Sequence, residues 1–535
     1  MCLRERKRSC GADHRRLWFA ALRHRQTTET DRPPYGNPSI IAVALAICFA
    51  SVAHAASLSD AAKAGDRPAV RALLKSHADV NAADPDGTTP LAWAVRGDDL
   101  ETAQLLIRAG ANVQARNRNG VTPLSLAATN RDAVMIDALL KAGADPNTKL
   151  PGGQTILMTA ARTGNPEAVK ILLSHGAQVN ARESTFGETA LMLAVSENHA
   201  EAAKALIDHG AEINTRSNAL PTSQDRFGLE GVLTILPHGS WTPLMFAARQ
   251  GSRDAARVLV EAHAELNTTD PDGTTALVLA IINGHYDTAA LLAEHGADPN
   301  IADTTGMAAL YAAADMNTLG EVYGRPGRPS TSKISALDLM QVLLAHGANP
   351  NAQLKSPTLQ RAHTPGEGTL AEGTTPLMRA AKNGDAPAMR LLLDHGANPS
   401  MVQKNGTTAL MLAAGLGRGL GVFAKDYATE GALLEAVQVL VARGVDVNAV
   451  NDKGQTAMHF AAQASDGIVR FLAEHGARLD VKDSQGRTPA DMAMGVGLRG
   501  RAGGPPIVRE GTAALIRQLL VAEAAKAGSQ AGAKN

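Results

Sequence analysis

Cysteine is nearly absent. Cys2, Cys10 and Cys48 are the only three in 535 residues, and none lies beyond residue 48. The body of the chain therefore builds neither a disulfide nor a thiolate metal site. Aromatics make up 3% of the sequence and charged residues 19%, which is lean for an ordinary packed core and suits close-set small helices. The formal charge is zero, but residues 1–55 hold nine Lys/Arg against four Asp/Glu, leaving 43 basic and 48 acidic residues beyond them. A mildly acidic body has no electrostatic footprint for nucleic acid. The motifs His-Glu-x-x-His and Gly-x-Ser-x-Gly are both missing.

Long apolar runs are also missing, with one short exception. The stretch "SIIAVALAICFASVAHAAS" has an apolar core shorter than the ~20 residues needed to span a bilayer, and it ends in Ala53-His54-Ala55. This small-x-small pattern predicts a signal peptide cleaved between Ala55 and Ala56, and hence a periplasmic or secreted protein with no membrane span after its removal. The preceding segment is long and Arg-rich, which also fits translation beginning nearer residue 40. Arg15-Arg16 lies too far from the apolar core for a twin-arginine signal. Cys48 in "LAIC" has Ile47 where a lipoprotein acceptor wants a small residue.

What the chain has in abundance is repetition. The threonine of "TTPLAWAVRGD" recurs as Thr89, Thr122, Thr155, Thr189, Thr242, Thr275, Ala308, Thr375, Thr408, Thr456 and Thr488. Successive gaps are 33, 33, 34, 53, 33, 33, 67, 33, 48 and 32 residues. A unit of 33 with enlarged members fits every step, and a degenerate unit from Ser57 to Gly87 makes about twelve. Counting that unit as the first, Thr89 opens unit 2 and Thr488 opens unit 12.

Each unit reads alike. Thr is placed to cap a helix, often with Pro next (Pro90, Pro123, Pro243, Pro376, Pro489), where a missing N–H is harmless. A turn such as "KNGD" leads to a second helix with apolar residues at helical spacing (Val169, Leu172, Leu173; Met389, Leu392, Leu393). Gly176 or Gly396 then ends it in the left-handed conformation. His77 and His263 stand at that glycine position, and His is one of the few other residues enriched there.

These residues resemble the ankyrin repeat, whose pattern "G-x-T-P-L-x-x-A-A…LL-x-x-G-A-D-x-N" is followed across nearly all of residues 57–525. The resemblance implies a mainly α repeat solenoid: helix pairs that bury each other's faces, with β-hairpin fingers along one edge. It also implies protein binding on the face made by the fingers and first helices. One departure is plain. The family commonly has His after "TPL", but here only His459 does, and Met158, Met192, Met245, Met378 and Met411 stand there instead, predicting apolar packing in place of Thr–His bonds.

Six histidines (His175, His209, His295, His346, His395, His475) recur just before the capping glycine. Equivalent side chains in neighbouring repeats lie one packing distance apart, roughly 8–10 Å, whereas a shared zinc needs its ligand nitrogens at about 2 Å. Arg443 and Ala142 occupy the position elsewhere. The expectation is a polar residue favouring the helix C-terminus, with no metal and no cofactor. "GLGRGLG" (415–421) follows no predicted strand, so it is a poor phosphate loop. "DPDG" (84–87, 270–273) is ordinary turn chemistry. "GRPGRPS" (324–330) reads as a flexible insert or, alternatively, an extended proline-type ligand.

The irregular units carry the individual information. Insertions are predicted at about 215–241 and 353–373, within fingers, and at about 315–335, 415–431 and 494–510, between the helices of units 8, 10 and 12. The three inter-helix insertions hold Tyr323, Arg325, Arg328, Phe423, Lys425, Tyr427, Arg499, Arg501 and Arg509. Aromatics and Arg are the residues binding centres favour, although such turns also simply tolerate insertion. The expected organisation is a leader over 1–55, the array over 56–526 and a flexible tail over 527–535. The functional expectation is a non-catalytic, monomeric scaffold binding a protein partner outside the cytoplasm. Its rivals are a secreted effector and an enzyme built on the insertions, for which no convergent acid, base and nucleophile appear.

Overall fold

In the computed structural model, the described residues are 57–219, 239–317, 332–356, 369–416, 428–497 and 506–532. They contain twelve consecutive helix pairs, running from Leu58–Ala64 with Arg67–Lys75 to Pro489–Ala493 with Glu510–Gly532. First helices pack on first helices and second helices on second helices, each pair also packing on itself.

The sequence pattern accounts for the helices locally. The Thr89 hydroxyl accepts the Ala92 N–H at 3.2 Å, and its equivalents at Thr122, Thr155, Thr242, Thr375 and Thr488 cap in the same way. Such a cap is worth about 1 kcal/mol. Two residues on, Leu91, Leu124, Leu157, Leu191, Leu244 and Leu277 are essentially fully buried. The matching residues of the second helices (Leu106, Leu139, Leu172, Leu206, Leu259, Leu292) are fully buried too. Each such leucine contributes roughly 2 kcal/mol of burial, and the alanines between them let the helices approach closely. His77 and His263 do adopt the left-handed conformation, with φ of 58° and 63°.

Fingers join the pairs. Among the described residues their β character is limited to single bridges, such as Lys149 with Thr155 and Val402 with Thr408, rather than ladders. The reason lies in their tips, which turn tightly on side-chain bonds. Asp270, for example, accepts the N–H groups of Asp272 and Thr274 at 3.0 and 2.8 Å, so the "DPDG" stretch is indeed a turn. One backbone bond then links most tips to a neighbour, as from Arg118 to Asp86 (2.9 Å) and from Thr304 to Asp272 (3.0 Å).

The insertions leave from ordered roots. Ser217 donates to the Trp241 carbonyl (2.9 Å) and Leu354 to that of Thr374 (2.9 Å), so the insertions near 215–241 and 353–373 belong to fingers. The other three fall between helices Ala309–Asn317 and Ala336–Ala345, Ala409–Ala413 and Glu430–Ala442, and Pro489–Ala493 and Glu510–Gly532. The last helix differs from the expected tail by continuing to Gly532. Its run "AEAAKAGSQAG" is rich in alanine and free of proline, which favours helix.

Candidate interaction surfaces

The finger edge is organised by an asparagine four residues after the capping glycine, which the sequence reading passed over. Asn147 donates to the Gly176 carbonyl at 2.9 Å and accepts the Gln178 N–H at 2.8 Å, clamping one unit to the next. Asn180, Asn300, Asn351 and Asn448 make the same two bonds. The clue was available in the recurrence of Asn at one register in "ADPN" and "AQVN". These side chains hold the stack and leave the finger tips to face outward.

On the opposite edge lie the turns between helices. In units 3 to 6 a side chain reaches back to a carbonyl of the preceding unit. Asn130 donates to Val95 (2.9 Å), Asn165 to Arg131 (2.6 Å) and Ser252 to Ser196 (3.3 Å). The His199 ring bonds the Arg162 carbonyl at 3.1 Å through Nε2 and packs where a Cβ on Gly164 would stand. From unit 8 onward charged groups take over. Arg379 meets Asp315 at 2.5 Å, with side-chain exposures of 5% and 23%, and Asn317 donates to Asp385 at 2.6 Å. A cleft of about 410 Å³ opens nearby between units 7 and 8, lined by Tyr286, Met316, Asn317, Lys333 and Ser335.

Of the nine candidate partner-binding residues, Arg509 is among the described residues. Tyr323, Arg325, Arg328, Phe423, Lys425, Tyr427, Arg499 and Arg501 lie outside them, as do Ala55 and Ala56. Arg509 has an internal role. Its backbone N–H meets the Ala493 carbonyl (2.8 Å) and its carbonyl accepts from Ala513, starting the last helix. Its guanidinium, partly covered, stands 3.8 Å from Glu430 of unit 10. Thr512 likewise bonds Asp466 of unit 11 at 2.5 Å. The turns of units 10, 11 and 12 therefore share one edge.

The repeated histidines have a specific task. Nδ1 of His175, His209, His295, His395 and His475 donates to the carbonyl four residues earlier, at 3.0, 2.7, 2.8, 2.9 and 2.8 Å. This satisfies a carbonyl that a helix end leaves open and fixes the Nδ1–H tautomer. Among the described residues no three His, Cys, Asp or Glu side chains are grouped to hold a metal ion. His459 is fully buried, takes the Thr456 N–H on Nδ1 (3.0 Å) and reaches the Arg487 carbonyl at 3.3 Å through Nε2. Burial lowers its pKa. At Met158 the substitution for His is more than apolar packing, because its sulfur accepts the Thr155 N–H at 3.3 Å.

The other shifted groups have structural causes. Burial works against ionisation of Asp483, but bonds from the Arg487 guanidinium and the Arg487 and Gln485 N–H groups outweigh it and hold the carboxyl at about 2. Asp98 is raised by a shared bond with Asp132, then by burial and by that neighbour's charge. Glu188 is raised by burial and by the charge of Glu183.

Twelve stacked helix pairs, clamped at the finger edge and tied at the turn edge, define a repeat solenoid. Ankyrin repeats (3 copies) match residues 58–150, 132–217, 230–303, 331–419 and 426–498, most of the chain. The chain belongs to the ankyrin-repeat family, whose arrays are typically non-catalytic modules for binding other proteins. It is similar to the Neurogenic locus Notch protein of Drosophila melanogaster, with 42% identity over 97 residues. That segment is 18% of this chain and 4% of the Drosophila protein, so the chain spans a small fraction of its relative's length. No helix among the described residues is long and apolar enough to cross a membrane.

Proposed function

We propose that the protein is a non-catalytic scaffold that is exported and holds a protein partner outside the cytoplasm, in the periplasm or the medium. The carrying observation is the unbroken succession of twelve helix pairs, in which each shifted titratable group is explained by a bond or burial that maintains the array. Export rests on the sequence alone: the apolar segment ending at Ala53-His54-Ala55, and a body without cysteine beyond residue 48. Tyr323, Arg325, Arg328, Phe423, Lys425, Tyr427, Arg499 and Arg501 are proposed to present a partner-binding strip along the turn edge. Arg509 is its anchored end.

Two measurements test this. Intact mass of the protein from the native cell envelope should correspond to a chain beginning at or near Ala56. Retention of residues 40–55 would refute export by cleavage. Crosslinking in cells should capture a defined protein partner, and no specific adduct would refute the scaffold. Recovery from the medium rather than the periplasm would favour a secreted effector.

A further inference from the structure

The residue six positions after the capping glycine stands in the same place on every finger. Along the array it reads Ala83, Arg116, Lys149, Arg182, Arg216, Thr269, Ala302, Gln353, Val402, Val450, Lys482. Four consecutive fingers, those following units 2 to 5, thus carry a cation there, and the next five carry none. All four are exposed. The arginines lean the same way, toward the following finger. Arg116 reaches the Lys149 carbonyl (3.1 Å), Arg182 reaches Thr215 Oγ1 (3.2 Å), and Arg216 reaches the carbonyls of Ser240 and Thr269 (3.0 and 2.9 Å).

Among the described residues none of the four meets a carboxylate. Elsewhere cations do: Arg67 pairs with Asp99 and Glu101, Lys141 with Asp137, and in a later finger Lys404 pairs with Glu372. Among the described residues, acids within the row's own fingers do not neutralise it. Glu183 is 7% exposed and turns inward, accepting the Thr185 and Phe186 N–H groups. Asp145 and Glu212, two residues after their glycines, form no ion pair with the row. Phe186 is 49% exposed on the Arg182 finger and adds an aromatic contact.

We infer that this row is a docking site for an extended acidic segment of a partner protein, with carboxylates at every third residue. Neighbouring units sit roughly 8–10 Å apart, and a chain extended as polyproline II advances about 3.1 Å per residue with three residues per turn, so every third side chain faces the row and matches one finger. Each guanidinium has donors left for a carboxylate. Nucleic acid fits less well, since binding it takes many closely spaced phosphate contacts and the body carries 43 basic against 48 acidic residues.

The inference rests on the scaffold reading and is tested apart from it. The probe is a fluorescein-labelled twelve-residue peptide with Glu at every third position and Pro or Ser between, which favours polyproline II. Its anisotropy is followed with the full chain in ~50 mM salt. Binding should weaken at least ~10-fold in R116Q/K149Q/R182Q/R216Q, whose glutamines keep a donor for the finger bonds. It should change less than ~2-fold in R108Q/K141Q/K170Q/K204Q, the same charge change on the second helices. Raising salt to ~300 mM should also weaken it, because exposed charges are screened. The inference is overturned if both variants lose binding equally, or if a peptide with its Glu residues contiguous binds as well. Tighter binding of a labelled single-stranded RNA than of the peptide would overturn it too. Undiminished in-cell crosslinking of the partner by the first variant would refute the finger site while leaving the scaffold intact. Circular dichroism of each variant must match the parent chain, and a variant that does not is replaced by single substitutions at Lys149, whose finger bonds are made by its backbone.

Discussion

Units 2 to 7 and units 8 to 12 meet the same stacking requirement with different chemistry. In the earlier units the helix–helix turns are short and second helices such as Leu100–Arg108 and Pro166–Ser174 run nine residues. In units 3 to 6 neutral side chains bonded to carbonyls tie adjacent turns, while Arg67 joins unit 1 to Asp99 and Glu101 of unit 2. In the later units an insertion shortens the first helix to five residues in units 10 and 12, and lengthens the second to 13 and 23. Charged side chains also join neighbouring units here: Arg379 to Asp315, Arg390 to Glu435, Arg443 to Asp394 and Arg509 to Glu430. The later units thus rely more on ion pairs between neighbours, whereas units 3 to 6 rely on uncharged hydrogen bonds at the turns.

The largest contrast should come from the charges. D315N removes the carboxylate facing the buried Arg379 guanidinium and should destabilise the later units by about 3 kcal/mol, since a buried charge is left less well paired. D137N, at the exposed Lys141 pair, should cost under ~0.5 kcal/mol. Denaturant unfolding measures both, and equal effects would erase the distinction.

Next come the turn glycines. Gly384 has a φ of 65°, and a Cβ there would stand 2.9 Å from the Ala432 carbonyl carbon, where the lengthened second helix of unit 10 crosses it. Gly110 has a φ of 90° with open space around it. G384A should cost roughly 2–3 kcal/mol, and G110A only the ~1 kcal/mol of left-handed strain. Similar losses would show that the lengthened helix does not press on its neighbour.

Acid should separate the halves more gently. Asp483 is held at about 2, below its ordinary value of 3.8, so its contribution is present above pH ~4 and is lost as pH falls toward 2. The amount is about 2 kcal/mol. His459, lowered by burial, is neutral in the fold, so its contribution is present above its unfolded value of about 6.5 and declines as pH falls below it. Both groups are in or beside unit 11. Hydrogen exchange between pH 7 and 2 should show protection weakening there before units 2 to 7, and D483N should remove the lower of the two steps, below pH ~4.

The smallest effects belong to the histidines at the helix ends. Changing His175, His209, His295, His346, His395 and His475 together to Asn should leave the array folded, at a few tenths of a kcal/mol per site. Loss of a tightly bound stoichiometric zinc in that variant would contradict the capping role seen in five of the six.

Much of this was legible because the repeat imposes its own register. Thr caps, buried Leu and Ala, and the left-handed His77 and His263 follow from spacing alone. The histidine role needed coordinates, since only the ring position distinguishes a favourable charge at a helix end from a bond to the carbonyl of Ile171 or Phe471. The asparagine clamp was written in the sequence as plainly as the threonine cap. Its meaning depends on a carbonyl about thirty residues away, which no local pattern reveals. Arg509 read as an outward binding residue because composition reports residue type and not the Glu430 that meets it.

The clamp also bears on how the molecule responds to force. A pull on its two ends is carried through the junctions in series, so the weakest junction sets the load at which the array parts. Between units 9 and 10 the clamping position is Ser400, and among the described residues no side-chain bond from it crosses to the next finger. Exposed ion pairs, Arg390 with Glu435 and Arg443 with Asp394, stand in for it, and such pairs resist little. Stretched in an optical trap, the array should tear first between units 9 and 10, giving way there as a mechanical fuse while the asparagine-bound units on either side remain coiled.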